Sequence, residues 1–381
     1  MRHTHSIGGS LGRLVRLACL LFVAAAVPLL GIAATLEQTT LKHLDNLRGI
    51  QSSADSQAIA RYNQQMDDAW KFFLANKGTV IPLLREQLDI EVRKPQPNGL
   101  VLLDVGYFLM LQGGASDRER ATAALLAIDT TSPVIRQNDK ELFEFTHRVA
   151  ALHDARVLPF IGKAFLRDKV AVFIPQHALR LDETLVCVFL YGVYGDGAEQ
   201  HLRTHLADRA VAKKVIEILA WLGSPASVAD VQAANAAARD YETFARATAF
   251  MMRAGGPQGR AAMLDVREGE LDSRSREYYA KIRPAIASTS YASLRKQFGS
   301  TARAGLSNDQ VRARLAAMSE HYGKDDTTQP LDILDAKLPA DELVGELVKI
   351  RALTFSRLSD EALSDVEMTN ALINTLRYRG K

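Results

Sequence analysis

Two histidines four positions apart, His201 and His205, are the sharpest chemical constellation in the 381-residue chain. On a helix they share one face, with Asp196, Glu199 and Asp208 nearby, and two imidazoles at that spacing can hold a zinc ion. In the metalloprotease helix motif a glutamate follows the first histidine, whereas here Leu202 does, and spacing identifies no third ligand. The pair is therefore a weak metal candidate, set against two histidines on a solvated helix face. His147, His153 and Asp154 form a second polar group at a turn, where Asp154 can cap the helix that follows. Cys187 lies in the apolar run Leu185-Val-Cys-Val-Phe-Leu190, so it is expected to be buried and inert, having neither a base nor access. Ser224, between Gly223 and Pro225, lacks the second glycine and the preceding strand of a nucleophile elbow. No phosphate-binding glycine loop follows a strand, and Asp67-Asp68 and Asp325-Asp326 have no pocket to make them an acid and a base. No catalytic residue and no cofactor are expected.

Two stretches are candidates for contact with a partner. Lys169-Val-Ala-Val-Phe-Ile-Pro-Gln-His177 is rich in β-branched residues and carries Pro175, which no helix interior accommodates. It is a packed loop or a short strand-like insertion, with Phe173, Pro175 and His177 as contact candidates. Alternatively, Val170, Val172 and Ile174 simply cover neighbouring helices. From Ser273 to Arg303 there are seven basic side chains and one acid, Glu277, with aromatic residues interleaved. Arg274, Arg276, Tyr278, Tyr279 and Arg283 are therefore candidates for an anionic ligand. The acidic stretch Lys324 to Glu367, with eleven acids and five bases, supplies an internal alternative for the same charges.

The elements that must position these groups are helices. Three times between Leu185 and Val266 an apolar helix runs into a glycine turn, at Gly195-Asp196-Gly197, Gly223-Ser224-Pro225 and Gly255-Gly256-Pro257, and then resumes. Glycine ends a helix by accepting a left-handed conformation, and proline opens the next. Upstream, helix pairs are expected around Gly78, with Thr79 as a cap, around Gly114, and around Asp154. The six turns lie about 28 to 41 residues apart, in the range of helical repeat arrays. Ser307 with Gln310, and Ser364 with Glu367, are expected to cap later helices, the first closing at Gly323.

Ala212-Lys-Lys-Val-Ile-Glu-Ile-Leu-Ala-Trp-Leu-Gly-Ser-Pro-Ala-Ser-Val228, and then Phe244-Ala-Arg-Ala-Thr-Ala-Phe250 joined to Gly256-Pro-Gln-Gly-Arg-Ala-Ala262, resemble the HEAT-like repeats of the armadillo superfamily. The resemblance covers Ser56 to Val266, most clearly in its last third. It implies an all-α fold, an α-solenoid of about six HEAT-like pairs over 56–268 followed by a C-terminal helical cap or small bundle over 269–381. It also implies a non-catalytic scaffold whose second helices line a concave binding surface. Uneven intervals and the absence of a regular aspartate-then-basic placement leave an irregular array or bundle as the alternative.

Composition sets the remaining limits. With 47% hydrophobic residues the chain can bury a large core. Residues 1–34 carry Arg2, Arg13 and Arg16, an apolar run from Leu17 to Leu30 and a small-residue end, the pattern of a secretion signal cleaved after Ala33 or Ala34. An uncleaved anchor over Leu17 to Ala34 is the competing reading. Removing those three arginines from the 47 basic side chains leaves 44, equal to the 44 acidic ones, so a nucleic-acid partner is not expected. Residues 35–55 are expected to be a mobile polar entry segment that begins with a short helix around Leu41, Leu44 and Leu47. Together these features predict an exported periplasmic or secreted scaffold for a protein or anionic polymer, touching a membrane only if the first segment stays uncleaved. The alternatives are a metal-dependent hydrolase using His201 and His205, and a membrane-tethered assembly factor.

Overall fold

The structure, a computed structural model, describes residues 35–299, 305–321 and 330–380. The signal-like segment 1–34, Arg303, Gly323 and Asp325-Asp326 lie outside those residues. What is described is almost entirely helical, and none of its helices is long and apolar enough to cross a membrane. The chain divides into two compact units at Gln137/Asn138. That division falls inside the stretch 56–268 expected to be one repeat region, and 269–381 belongs to the second unit together with 138–268.

The first unit contains α1 (35–48), α2 (Ser56–Ala75), α3 (Lys77–Val92), α4 (Gly99–Gln112), α5 (Ala115–Ala127) and the short α6 (Pro133–Arg136). Residues 35–48 form the helix expected around Leu41, Leu44 and Leu47, but it is docked and not a loose lead-in. Leu44 and Leu47 are fully buried, and Arg48 donates to Glu91 Oε2 at 3.3 and 3.2 Å. Asn76, and not Gly78, separates α2 from α3, so Thr79 lies within the first turn of α3 and caps nothing. At the α4–α5 turn Gly113 is extended (φ −82°), not left-handed. Here Asp117 takes over the turn. It accepts from the Gly114 backbone N–H at 2.7 Å and from Arg85 at 2.6 and 2.7 Å, which holds its carboxyl below the usual range despite complete burial.

The second unit begins with α7 (Asp139–Ala150), α8 (Val157–Ile161) and a single π turn, Gly162–Leu166. A hairpin of β1 (Val172–Ile174) and β2 (Leu179–Leu181) follows, the only sheet among the described residues. Then come α9 (Glu183–Tyr194), α10 (Ala198–Thr204), α11 (Ala212–Leu222), α12 (Val228–Ala238), α13 (Tyr241–Arg253), α14 (Gly256–Leu264) and α15 (Ser273–Ser288). Helices α7, α9, α11 and α13 pack in succession, each on the next, and α13 also meets α15. Gly195, Gly197 and Gly256 have positive φ (74°, 88° and 56°), as their turns require. Gly223 is instead extended; a Cβ there would lie 2.6 Å from the Leu219 carbonyl oxygen, so close approach and not left-handedness excludes a side chain.

The C-terminal helices are α16 (Tyr291–Arg295), α17 (Asn308–His321), α18 (Pro330–Leu334), α19 (Ala340–Phe355) and α20 (Asp360–Arg377). Ser307 and Gln310 form the expected reciprocal cap, at 2.9 and 3.3 Å. Ser359, not Ser364, caps α20, since its hydroxyl accepts from the Ala362 N–H. The α19–α20 hairpin forms a core of its own with α17 and α18, around Leu343, Leu347, Ile350 and Leu376. It also packs on α9, α13 and α14. The Phe355 ring fills the space over Gly192, with Cε2 2.6 Å from where a Cβ would stand.

Polar side chains of this hairpin donate to backbone carbonyls of the preceding helices, at the C-terminal ends of α11 and α13 and at the start of α14. Arg351 donates to the Trp221 and Leu222 carbonyls at the end of α11 (3.1 and 2.8 Å) and to Asn370 Oδ1 (2.8 Å). Asn370 donates to the Trp221 carbonyl, Asn374 to Met252, and Tyr378 to Gly256. Helix-terminal carbonyls have no partner within their own helix and carry partial negative charge, so a buried guanidinium is a suitable donor to them. Burial still brings Arg351 and Arg377 down to about 10.

Candidate functional site

The histidine pair meets across the end of α10. His201 lies within that helix and His205 at its C-cap, and their Nε2 atoms are 3.2 Å apart with ring centroids at 4.8 Å. Both side chains are half-buried, and burial lowers the pKa of each, so both are neutral imidazoles at neutral pH. The neighbours that sequence reasoning did not find are Tyr191 on α9 and Gly162 in the π turn. The Tyr191 ring packs against His201 at 5.9 Å; its hydroxyl is fully buried and has no hydrogen-bond partner. A Cβ placed on Gly162 would stand 3.4 Å from each histidine Nε2 and 3.6 Å from the Tyr191 hydroxyl. Three polar atoms thus converge over one side-chain-free Cα. A signal for Gly162 does exist: it is a glycine inside the apolar helical pattern Val157, Leu158, Ile161, Phe165. Tyr191 carries a polar tip within an otherwise apolar run, but nothing in the spacing links it to His201. Asp208, near the pair in sequence, accepts from Arg167 at 2.6 Å, while Glu199 accepts from Ser224 and Ser227. Among the described residues no group of three or more His, Cys, Asp or Glu is placed to hold a metal.

The remaining polar candidates have structural partners. Cys187 is fully buried, its thiol pushed up to about 12 by desolvation and directed at the Phe165 carbonyl, so it is no nucleophile. His147 uses Nε2–H to donate to the Phe355 carbonyl at 2.7 Å, which leaves Nδ1 as an unpartnered lone pair; burial lowers its pKa to about 4. His153 occupies a left-handed turn (φ 58°) against the Tyr194 carbonyl, and Asp154 accepts from the Arg156 N–H at 2.9 Å.

The insertion is a hairpin with two different faces. Val172, Ile174, Leu179 and Leu181 are buried, with β1 against α7 and β2 against α9. The opposite face presents Phe173, 48% exposed, with the Arg180 guanidinium 5.1 Å from its ring centre. Pro175 and His177 form the exposed 3₁₀ tip, closed by Ala178 in a left-handed conformation (φ 49°). Lys214 on α11 holds the base of the insertion, donating to the Asp168 carbonyl at 2.8 Å.

The basic segment is largely engaged within the chain. The Arg274 guanidinium lies 4.0 Å from the centre of the Tyr241 ring, and Arg276 donates to the Glu268 and Leu271 carbonyls. Lys281 pairs with Glu277, Arg283 with Glu268, and Arg295 with Asp335 of the acidic stretch. Tyr278 packs edge-on against Tyr241 and Phe244. Tyr279 cannot meet a ligand from this surface: it is fully buried and donates to the Met263 carbonyl at 2.7 Å, because it faces the core side of α15.

Two clefts among the described residues of the second unit adjoin these elements. One, of about 490 Å³, lies among α12, α13, α14 and α15. The other, of about 740 Å³, is lined by Tyr191, Gly195, Asp196, Glu199, Lys349 and Arg351, and here Glu199 and Arg351 are already committed to the contacts above. Searches against protein-family models, curated proteins and solved structures found no match to this chain.

Proposed function

We propose that the protein is an exported helical scaffold, its HEAT-like helices serving to present a contact surface to a protein or anionic polymer partner. The observation that carries this reading is the hairpin. Its apolar side is committed to α7 and α9, while Phe173, Arg180, Pro175 and His177 project outward as an aromatic and cationic edge, the residue types that anchor interfaces. The succession of α7, α9, α11 and α13, each packed on the next, supports the repeat reading. The basic face of α15 is the weaker partner surface, because its cations already have internal partners.

A pull-down from periplasmic extract tests it. Substituting Phe173→Ala with His177→Ala should abolish capture of the partner, while Arg274→Gln with Arg276→Gln should weaken it less. Capture indifferent to both pairs would refute the assignment of either surface. Mature protein beginning near Thr35 in the soluble periplasmic fraction is the expected location; a chain retained whole in the membrane would favour the tethered alternative.

A further inference from the structure

We infer that His201, His205 and Tyr191 form a binding site for a divalent transition-metal ion of the zinc, copper and nickel class, opened by the missing side chain of Gly162. The inference is independent of the partner-binding surface.

Four observations carry it. First, the two Nε2 atoms are 3.2 Å apart. Two imidazole nitrogens bound to one tetrahedral zinc ion at about 2.0–2.1 Å stand about 3.3 Å from each other, so the pair already has the separation of two ligands. Second, the Tyr191 hydroxyl is wholly buried without a partner, an unfavourable situation that a ligand to its oxygen would relieve. Third, Gly162 has helical angles (φ −56°, ψ −46°), so no backbone conformation demands glycine there. A methyl group at that position would touch both nitrogens and the hydroxyl at ordinary contact distance, in the space that a cation on that side of the pair must occupy. Fourth, Gly162 opens a π turn, a local break in helical register that recurs at functional sites. The half-buried imidazoles give access from solvent, and imidazole nitrogen suits this class of ion better than magnesium or calcium. With two imidazoles and one phenol, further positions are left to water.

The test is calorimetric titration of Zn²⁺ into the full chain, purified without a histidine tag and stripped with chelator. One ion should bind per chain. His201→Ala and His205→Ala should each weaken binding by more than about tenfold. Gly162→Ala should do the same while retaining all three donors and a metal-free melting temperature no lower than the parent's, which keeps the test decisive if a histidine variant fails to fold. Tyr191→Phe should weaken binding by a smaller factor. Absence of saturable binding, or Gly162→Ala and His205→Ala binding zinc as the parent does, would overturn the site and leave the histidines as an internal hydrogen bond.

Discussion

Two polar groupings in the same helical unit are both withdrawn from water yet built differently. Around Arg351 and Asn370 each contact is directed at a named acceptor: the guanidinium serves two helix-terminal carbonyls and an amide oxygen, and the amide nitrogen serves one of those carbonyls again. Around His201 and His205 the accounting does not close. Two neutral imidazoles share a single Nε2···Nε2 hydrogen bond, the buried hydroxyl beside them has no partner, and a glycine stands where its backbone needs none. A closed grouping holds structure together, whereas an open one stores a cost that a ligand can recover. That difference separates the polar core of this protein from its candidate chemistry.

The contrast can be broken by substitution. Arg351→Met should be the most damaging, since it strands the Trp221 and Leu222 carbonyls and the Asn370 oxygen; a loss of about 3 kcal/mol is expected in urea denaturation. A loss below about 1 kcal/mol would mean that the arginine does not hold the α19–α20 hairpin onto α11.

His147 is an intermediate case, one nitrogen committed and the other not. Folded, it takes up a proton only near pH 4, whereas in the unfolded chain it does so near 6.5. Its contribution to stability is therefore complete above pH 6.5. Between pH 6.5 and 4 the unfolded chain binds the extra proton and stability falls, by at most about 3 kcal/mol. His147→Gln, which retains a donor for the Phe355 carbonyl, should flatten this part of the stability profile. An unaltered slope would assign it to other groups.

The smallest effects belong to the open grouping and sharpen the comparison most. Without metal, Tyr191→Phe should be neutral or slightly stabilising, because it removes an unpaired buried hydroxyl. Gly162→Ala should raise stability by up to about 1 kcal/mol, as expected where alanine fits a helical glycine position. Loss of more than about 1 kcal/mol in either variant would show that these positions serve packing.

The histidine spacing was legible in the sequence because i and i+4 share a helix face whatever the tertiary fold. The convergence of Tyr191 and Gly162 on the pair was not, since both reach it from other elements only after α9 and α10 dock on the π turn. Helix existence was similarly legible from apolar periodicity, and the conformations of Gly195, Gly197 and Gly256 follow from their turns. Gly223 was misjudged because close contact with the Leu219 carbonyl, not positive φ, excludes a side chain there. The docking of the C-terminal hairpin could not be anticipated. Arg351 finds its partners among backbone carbonyls 129 and 130 residues away, and such groups carry no side-chain signature. The strand-like insertion was visible through Pro175 and its β-branched neighbours, but its division into a buried and an exposed face depends on the pairing register, Phe173 opposite Arg180.

The visible absorption spectrum of the untagged chain titrated with Co²⁺ tests the central claim most directly. Cobalt held by two imidazoles and oxygen donors in four-coordinate geometry should show intense d–d bands that saturate at one ion per chain, disappear in Gly162→Ala, and persist in a folded Asn374→Ala control. Only the weak spectrum of the hydrated ion, or bands indifferent to Gly162→Ala, would contradict the claim that the open grouping is a metal site.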